Sequence, residues 1–269
     1  MKKKPRVLKK KTTKSLKRDL KSIVNEFDLN PGSILIKPNF NTADDFPAST
    51  DKLFLTELVS ILEERKEIDK IYIGDSSTFY KNSEKVIKRK KLADLSSKDK
   101  VRVVNFDKLE RVIKEIPDGK YLKKASIPKL INQVDNLIYL PCMKTHFHAD
   151  YTGSIKLSVG LMPTGEKMRF HLGNLQKKIA ELNKLVTPDI IIMDGRKCFI
   201  SGGPVSGTLK EPGIILASDD RVAIDLEAVN TIKSYAQNSL SDKKPLEIMQ
   251  IKKMIEFGLG SPDYKLIDF

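Results

Sequence analysis

Apolar residues follow two patterns along this chain: helical spacing over a dozen or more positions, and short unbroken runs that stop at polar punctuation. Leu16, Leu20, Ile23, Val24 and Phe27 form one stripe and predict a helix over about 14–27. Phe54, Leu58, Ile61 and Leu62 predict a second over about 51–66, and a lysine-rich third lies near 82–95. Leu172, Leu175, Ile179, Leu182 and Val186 share a face of a fourth. A fifth spans about 219–236, behind Ser218 and two aspartates placed to cap it. Between the helices lie the runs "ILI" at 34–36, "KIYIG" at 70–74, "VRVVNF" at 101–106, "NLIYLPCMKTH" at 136–146, "IIIMD" at 190–194 and "IILAS" at 214–218. Strand and helix alternate through the first half. That order implies an α/β, Rossmann-like fold, a mainly parallel sheet flanked by helices, with room for a small sub-lobe. The stretch 107–135 is less regular, and 147–171 reads as a long loop with short pieces of structure.

Composition sharpens this picture at one end. The net charge is +14, yet residues 1–21 hold eleven Lys and Arg against Asp19 alone. The excess therefore reads as a basic N-terminal arm, 1–13, ahead of a single α/β domain, 14–269. Such an arm attracts polyanions without reading sequence, and nucleic-acid binding through it is one functional alternative. No apolar run is long enough to predict a membrane span, and the charged start lacks the apolar core of a signal peptide. Two cysteines are too few for a disulfide framework or an iron–sulfur cluster. The expected compartment is the cytoplasm.

The strands end on chemistry. KPN at 37–39, GDSS at 74–77, MKTH at 143–146, MDGR at 193–196 and ASDD at 217–220 close five runs in turn. In open α/β sheets ligands bind beyond the carboxyl ends of strands, so these ends are expected to converge on one crevice. All three histidines fall between Lys144 and His171. His146 and His148 point the same way if the segment is extended, and with His171 they are candidate ligands of a divalent metal, with Asp150, Asp194 or Cys142 as further donors. The competing reading is structural, an imidazole donating to a buried carbonyl. Lys37, Lys144, Lys156, Arg169 and Arg196 are candidates for a basic crevice that takes phosphate or carboxylate groups, the glycines beside Lys156 admitting a close approach. "SGGPVSG" at 201–207 can cradle an anion but matches neither the P-loop nor the dinucleotide fingerprint, so neither ATP nor NAD is implied. Asp225 lies within the apolar stripe of its helix and needs a partner, for which Arg221 is the expected candidate.

Taken together, "ILIKPNF", "IGDSS", "LPCMKTHFHADYTGSIKLSVGLMP", His171, "IIIMDGR", "GGPVSG" and "ASDDRVAID" resemble, in order, the family of domain of unknown function 362 over about residues 33–236. Many members of that family carry ferredoxin-type four-cysteine modules. This chain has none, so no electron-transfer role carries over. A fainter similarity is to the nickel-pincer lactate racemase catalytic domain. There a lysine anchors the cofactor and histidines ligate metal or move protons, and His146, Lys156 and His171 match those positions; the GGGK run of that family is GSIK here.

These observations point to an enzyme acting on a small anionic molecule. The expected catalytic residues are His146, Lys156, His171 and Asp194. Lys37, Asn39, Asp75, Ser76, Lys144, Thr145, Arg196, Gly202 and Gly203 are expected to bind the ligand. The alternative of a metal-binding or metal-delivery protein rests on His146, His148 and His171.

Overall fold

The structure, a computed structural model, describes residues 4–269. The first part builds strands and helices in turn: β1 (Arg6–Lys11), α1 (Leu16–Val24), β2 (Gly32–Pro38), α2 (Lys52–Glu63), β3 (Ile68–Asp75), α3 (Ser83–Arg89), α4 (Ala93–Ser96) and β4 (Val101–Asn105). Side-chain caps fix where helices begin. Ser15, Asp51 and Asn82 accept the free amides of Arg18, Leu53 and Lys85, as short polar residues at these positions do. A hairpin of β5 (Arg111–Glu115) and β6 (Lys124–Pro128) forms a separate two-stranded sheet within the irregular stretch.

The apolar run at 136–146 is two strands, β7 (Asn136–Leu140) and β8 (Cys142–His146), divided at Pro141, which has no N–H to give a ladder. Then come β9 (Asp150–Thr152), α5 (Ser154–Leu157), α6 (Thr164–His171) and α7 (Leu175–Leu182). The chain closes with β10 (Ile190–Gly202), β11 (Gly207–Lys210), β12 (Ile214–Ser218), α8 (Arg221–Lys233), α9 (Met249–Glu256) and β13 (Lys265–Asp268). Asp220 caps α8, accepting from Val222 and Ala223 at 2.8 and 2.9 Å.

The main sheet has the order β13-β1-β12-β10-β7-β2-β3-β4. From β10 through β4 every pairing is parallel, and β12 joins β10 and β1 antiparallel. Successive residues of its central strands enter opposite cores. Ile34, Ile36, Ile138, Ile190 and Ile192 pack on one face, where α1 and α2 lie, and Leu35, Leu137, Tyr139, Ile191 and Met193 on the other, under α7 and α8. Helices on both faces explain why these strands read as continuous apolar runs.

One expectation fails here. Residues 6–11 do not form a free arm: β1 pairs with β12 from Leu8↔Ala217 to Lys11↔Ile214 and with β13 from Arg6↔Lys265 to Lys9↔Asp268. Val7 and Leu8 are buried, and Lys9 reaches Glu227 at 3.0 Å. Two apolar residues with long-range partners outweigh the local charge. The first three residues of the expected arm lie outside the described residues.

Candidate functional site

A cavity of about 830 Å³ opens beyond the carboxyl ends of β2, β3 and β8. Chain order reverses at this place. From β2 the chain runs outward through β3 and β4, then returns to lay β7 on the other side of β2. Adjacent connections leave in opposite directions there and open a crevice.

Its floor is a group of amines. Lys37 ends β2 and donates to Asp75 Oδ1 at 2.8 Å. Burial pulls its pKa down while Asp75 works against the fall. Asp75 is held in turn by the amides of Phe40 (2.7 Å) and Ser76 (2.8 Å). Lys167, on α6, donates to the carbonyls of Ser76 and Ser77 and to Ser76 Oγ, each at 2.7 Å, and burial pushes it down to about 7. Lys144 donates to the Ala48 carbonyl and is lowered by burial to about 8. Lys156, on α5, has no hydrogen-bond partner among the described residues. Burial, and then the charge of Lys144, lower it to about 7. Asp75 is the sole carboxylate on the cavity wall among the described residues, and it is committed to Lys37.

The glycines beside Lys156 serve the protein's own groups. A Cβ at Gly160 would overlap Lys37 Nζ and Asp75 Oδ1, so that ion pair nests against bare backbone. A Cβ at Gly153 would overlap the Tyr151 hydroxyl and Asp225. Asp225 does not pair with Arg221 as expected. It accepts from the amides of Ser154 (2.7 Å) and Ile155 (3.0 Å), clamping the first turn of α5, and burial raises its pKa to about 6. Arg221 instead donates to Asn183 Oδ1 at 2.6 Å and to the Val186 carbonyl at 2.8 Å.

All three histidines line the cavity, yet they do not build a metal centre. His146 Nδ1 accepts the amides of His148 (3.1 Å) and Ala149 (3.2 Å), so its proton resides on Nε2 and neither nitrogen offers a free lone pair. Burial, reinforced by Lys156 and Lys144, holds this ring neutral. His171 has the opposite tautomer. Its Nδ1–H donates to the Lys167 carbonyl at 2.6 Å, which leaves Nε2 as an acceptor, and burial lowers its pKa. Among the described residues no three His, Cys, Asp or Glu side chains converge as metal ligands. Cys142 is buried, which pushes its thiol up to about 11, and Asp150 pairs with Lys243 at 2.5 Å. The donor set does not fit a protein-held divalent metal.

Lys37, Asn39, Asp75, Ser76, Lys144, His146, His148, Lys156 and His171 therefore line one cavity, where the strand-end pattern expects a crevice. Asp194 and Arg196 do not join them. The expected strand end at 194 is the middle of β10, which runs on to Gly202. Asp194 there binds Arg196 at 2.8 and 2.9 Å, and Arg196 reaches Asp51 and lies between the rings of Phe46 and Phe54. The pair ties β10 to the start of α2. Thr145 is also off the wall, donating to the Phe199 and Gly202 carbonyls. Gly202 and Gly203, with φ of 75° and 69°, shape the β10–β11 turn, from which Pro204 and Val205 reach the cavity. Arg169 is exposed. Lys167 went unread, although its place four residues before His171 is the spacing of one helical face.

The sequence pattern of the family described as Domain of unknown function (DUF362) matches residues 34–230. A thylakoid-associated protein of Synechocystis sp. is 27% identical over 129 residues, 44% of this chain and 40% of that protein. The lactate racemase apoprotein of Thermoanaerobacterium thermosaccharolyticum superposes with a TM-score of 0.51 at 14% identity, covering 83% of this chain and 56% of that one. At that identity the likeness is one of fold. The chain thus spans about two fifths and just over half of these relatives' lengths.

Proposed function

We propose that this chain, which belongs to the DUF362 family, is an enzyme acting on a carboxylate- or phosphate-bearing molecule held among Lys144, Lys156 and Lys167. One observation carries the reading: the buried Lys144 and Lys167 and the half-buried Lys156 face a cavity whose one carboxylate among the described residues is already paired with a fourth amine, Lys37. Desolvated amines without counter-charge favour an entering anion, which restores the proton that burial removes. The imidazoles supply the chemistry. His171 Nε2 has a free lone pair to take a proton, and the neutral His146 offers its Nε2–H as a hydrogen-bond donor. Opposite tautomers on one cavity suit proton abstraction from a bound substrate, with His171 taking the proton and becoming imidazolium while His146 Nε2–H hydrogen-bonds to the oxygen where negative charge develops.

The rival readings find less support. Metal delivery needs free histidine lone pairs in convergence, and the basic arm is largely a strand of the sheet. Among the described residues no helix is long and apolar enough to cross a membrane. Both cysteines are free and buried, which suits a reducing compartment, and we extend the proposal to a cytoplasmic location.

Calorimetric titration with inorganic phosphate and with a short hydroxycarboxylate tests the site. Binding is expected, weakened roughly tenfold to a hundredfold by Lys156→Met, the loss of one hydrogen bond to a charged group. Absence of binding by both anions defeats the proposal. A screen of carboxylated and phosphorylated metabolites in deuterium oxide, read by proton NMR, tests turnover. Exchange or conversion lost in His171→Ala supports an enzyme, and binding without either leaves a binding protein.

A further inference from the structure

The cavity mouth differs from its floor. Phe79 and Tyr80 follow β3, Phe147 follows β8, Met168 and Leu172 belong to α6 and its end, and Val205 tips the β10–β11 turn; all six line the cavity, and all are exposed. Phe147 and Leu172 are each 69% exposed and Met168 60%, an exposure that core-forming side chains rarely keep unless something covers them. Four separate segments deliver these groups to one opening, so local sequence does not account for the cluster. The rim is also continuous with the reactive rings. Phe147 stacks on His146 at 5.2 Å between centroids, and Phe79 lies 5.7 Å from His171.

From this we infer that the ligand is an amphiphile, with its anionic head among Lys144, Lys156 and Lys167 and an apolar chain or ring leaving through the rim. The inference rests on the anion site proposed above and adds the second half of the molecule. Charge complementarity fixes the direction, since Lys144 and Lys167 are buried and the apolar side chains lining the same cavity are exposed. Volume agrees. Cavities of roughly 300–1,000 Å³ hold drug-sized ligands, and a bare phosphate or short hydroxy acid leaves most of about 830 Å³ unfilled. Carboxylate and phosphate heads share the chemistry that the floor recognises.

The test titrates the full chain with two homologous series, alkyl phosphates and fatty carboxylates from two to eight carbons, kept below their micellar concentrations, with octanol and inorganic phosphate as references. Affinity is expected to rise about threefold to fourfold for each added methylene, the value of burying one CH₂. The series with the higher absolute affinity identifies the head. Phe147→Ser and Leu172→Ser should flatten the chain-length dependence and leave inorganic phosphate binding unchanged, whereas Lys156→Met should weaken every charged member alike. Binding of phosphate with no chain-length dependence overturns the amphiphile and leaves the anion site standing. Octanol binding as well as octyl phosphate, with Lys156→Met silent, overturns the anion site itself. A self-association abolished by Phe147→Ser, with no chain-length dependence, assigns the rim to a second copy of the chain and rejects the inference.

Discussion

An ammonium group partly withdrawn from water is best held by a counter-charge or several carbonyls, and the half-buried Lys156 has neither among the described residues. Its pKa near 7 lies well below the ordinary 10.5. Between these values the unfolded chain holds the proton and the folded chain does not, so stability without ligand rises with pH across that window. Lys167 and Lys144, near 7 and 8, act in the same direction. Lys156→Met should therefore raise stability at neutral pH by an amount on the order of a few kcal/mol, since each tenfold loss of proton affinity on folding costs about 1.4 kcal/mol. It should also remove part of the rise between pH 7 and 10. Urea denaturation across that range reads both, and an unchanged slope would mean that the amine is solvated. Anion affinity should run the other way and fall above about pH 8, as the amines lose their protons.

The element that carries Lys156 is four residues long, too short to hold its own shape. Tertiary contacts hold it. Asp225 from α8 clamps its first amides, and Asn183, at the end of α7, donates to the Ile155 carbonyl at 2.9 Å. Asp225→Asn leaves one carbonyl for two amides and turns an NH₂ against the other. It should cost about 1–3 kcal/mol and weaken phosphate binding through the displaced Lys156, measured by denaturation and calorimetry on the same samples. Elements of this size also explain what the sequence withheld. Periodicity needs a dozen residues to declare itself, and 147–171 is assembled from pieces of three to eight. Read as a loop, that stretch hid Lys167. The longer helices, with their buried stripes and polar caps, were legible to within a few residues.

At the scale of the molecule, the crevice followed from three of the five polar endings, those of β2, β3 and β8, because parallel strands send their carboxyl ends to one side, whereas the ending at 217–220 closes the antiparallel β12 and lies away from the cavity. Two features did not follow. Asp194 resembled a strand end, but pairing of β10 with β8 and β11 carries that strand eight residues further. The basic start resembled a tail, since nothing local reveals that Val7 and Leu8 have partners at the other end of the chain. Leu8→Ala should cost about 2–5 kcal/mol by denaturation, as a buried leucine does, where a free arm would cost about 0.5 kcal/mol or less. The same pairing sets a timetable. On the ribosome β1 is made more than two hundred residues before β12 and β13, which flank it. Sheet closure by so distant a contact is slow. Until those strands emerge, Val7 and Leu8 lack their sheet partners beside a run of lysines, and like charge of that kind opposes association between chains. The basic residues that first suggested a ligand then serve the birth of the fold.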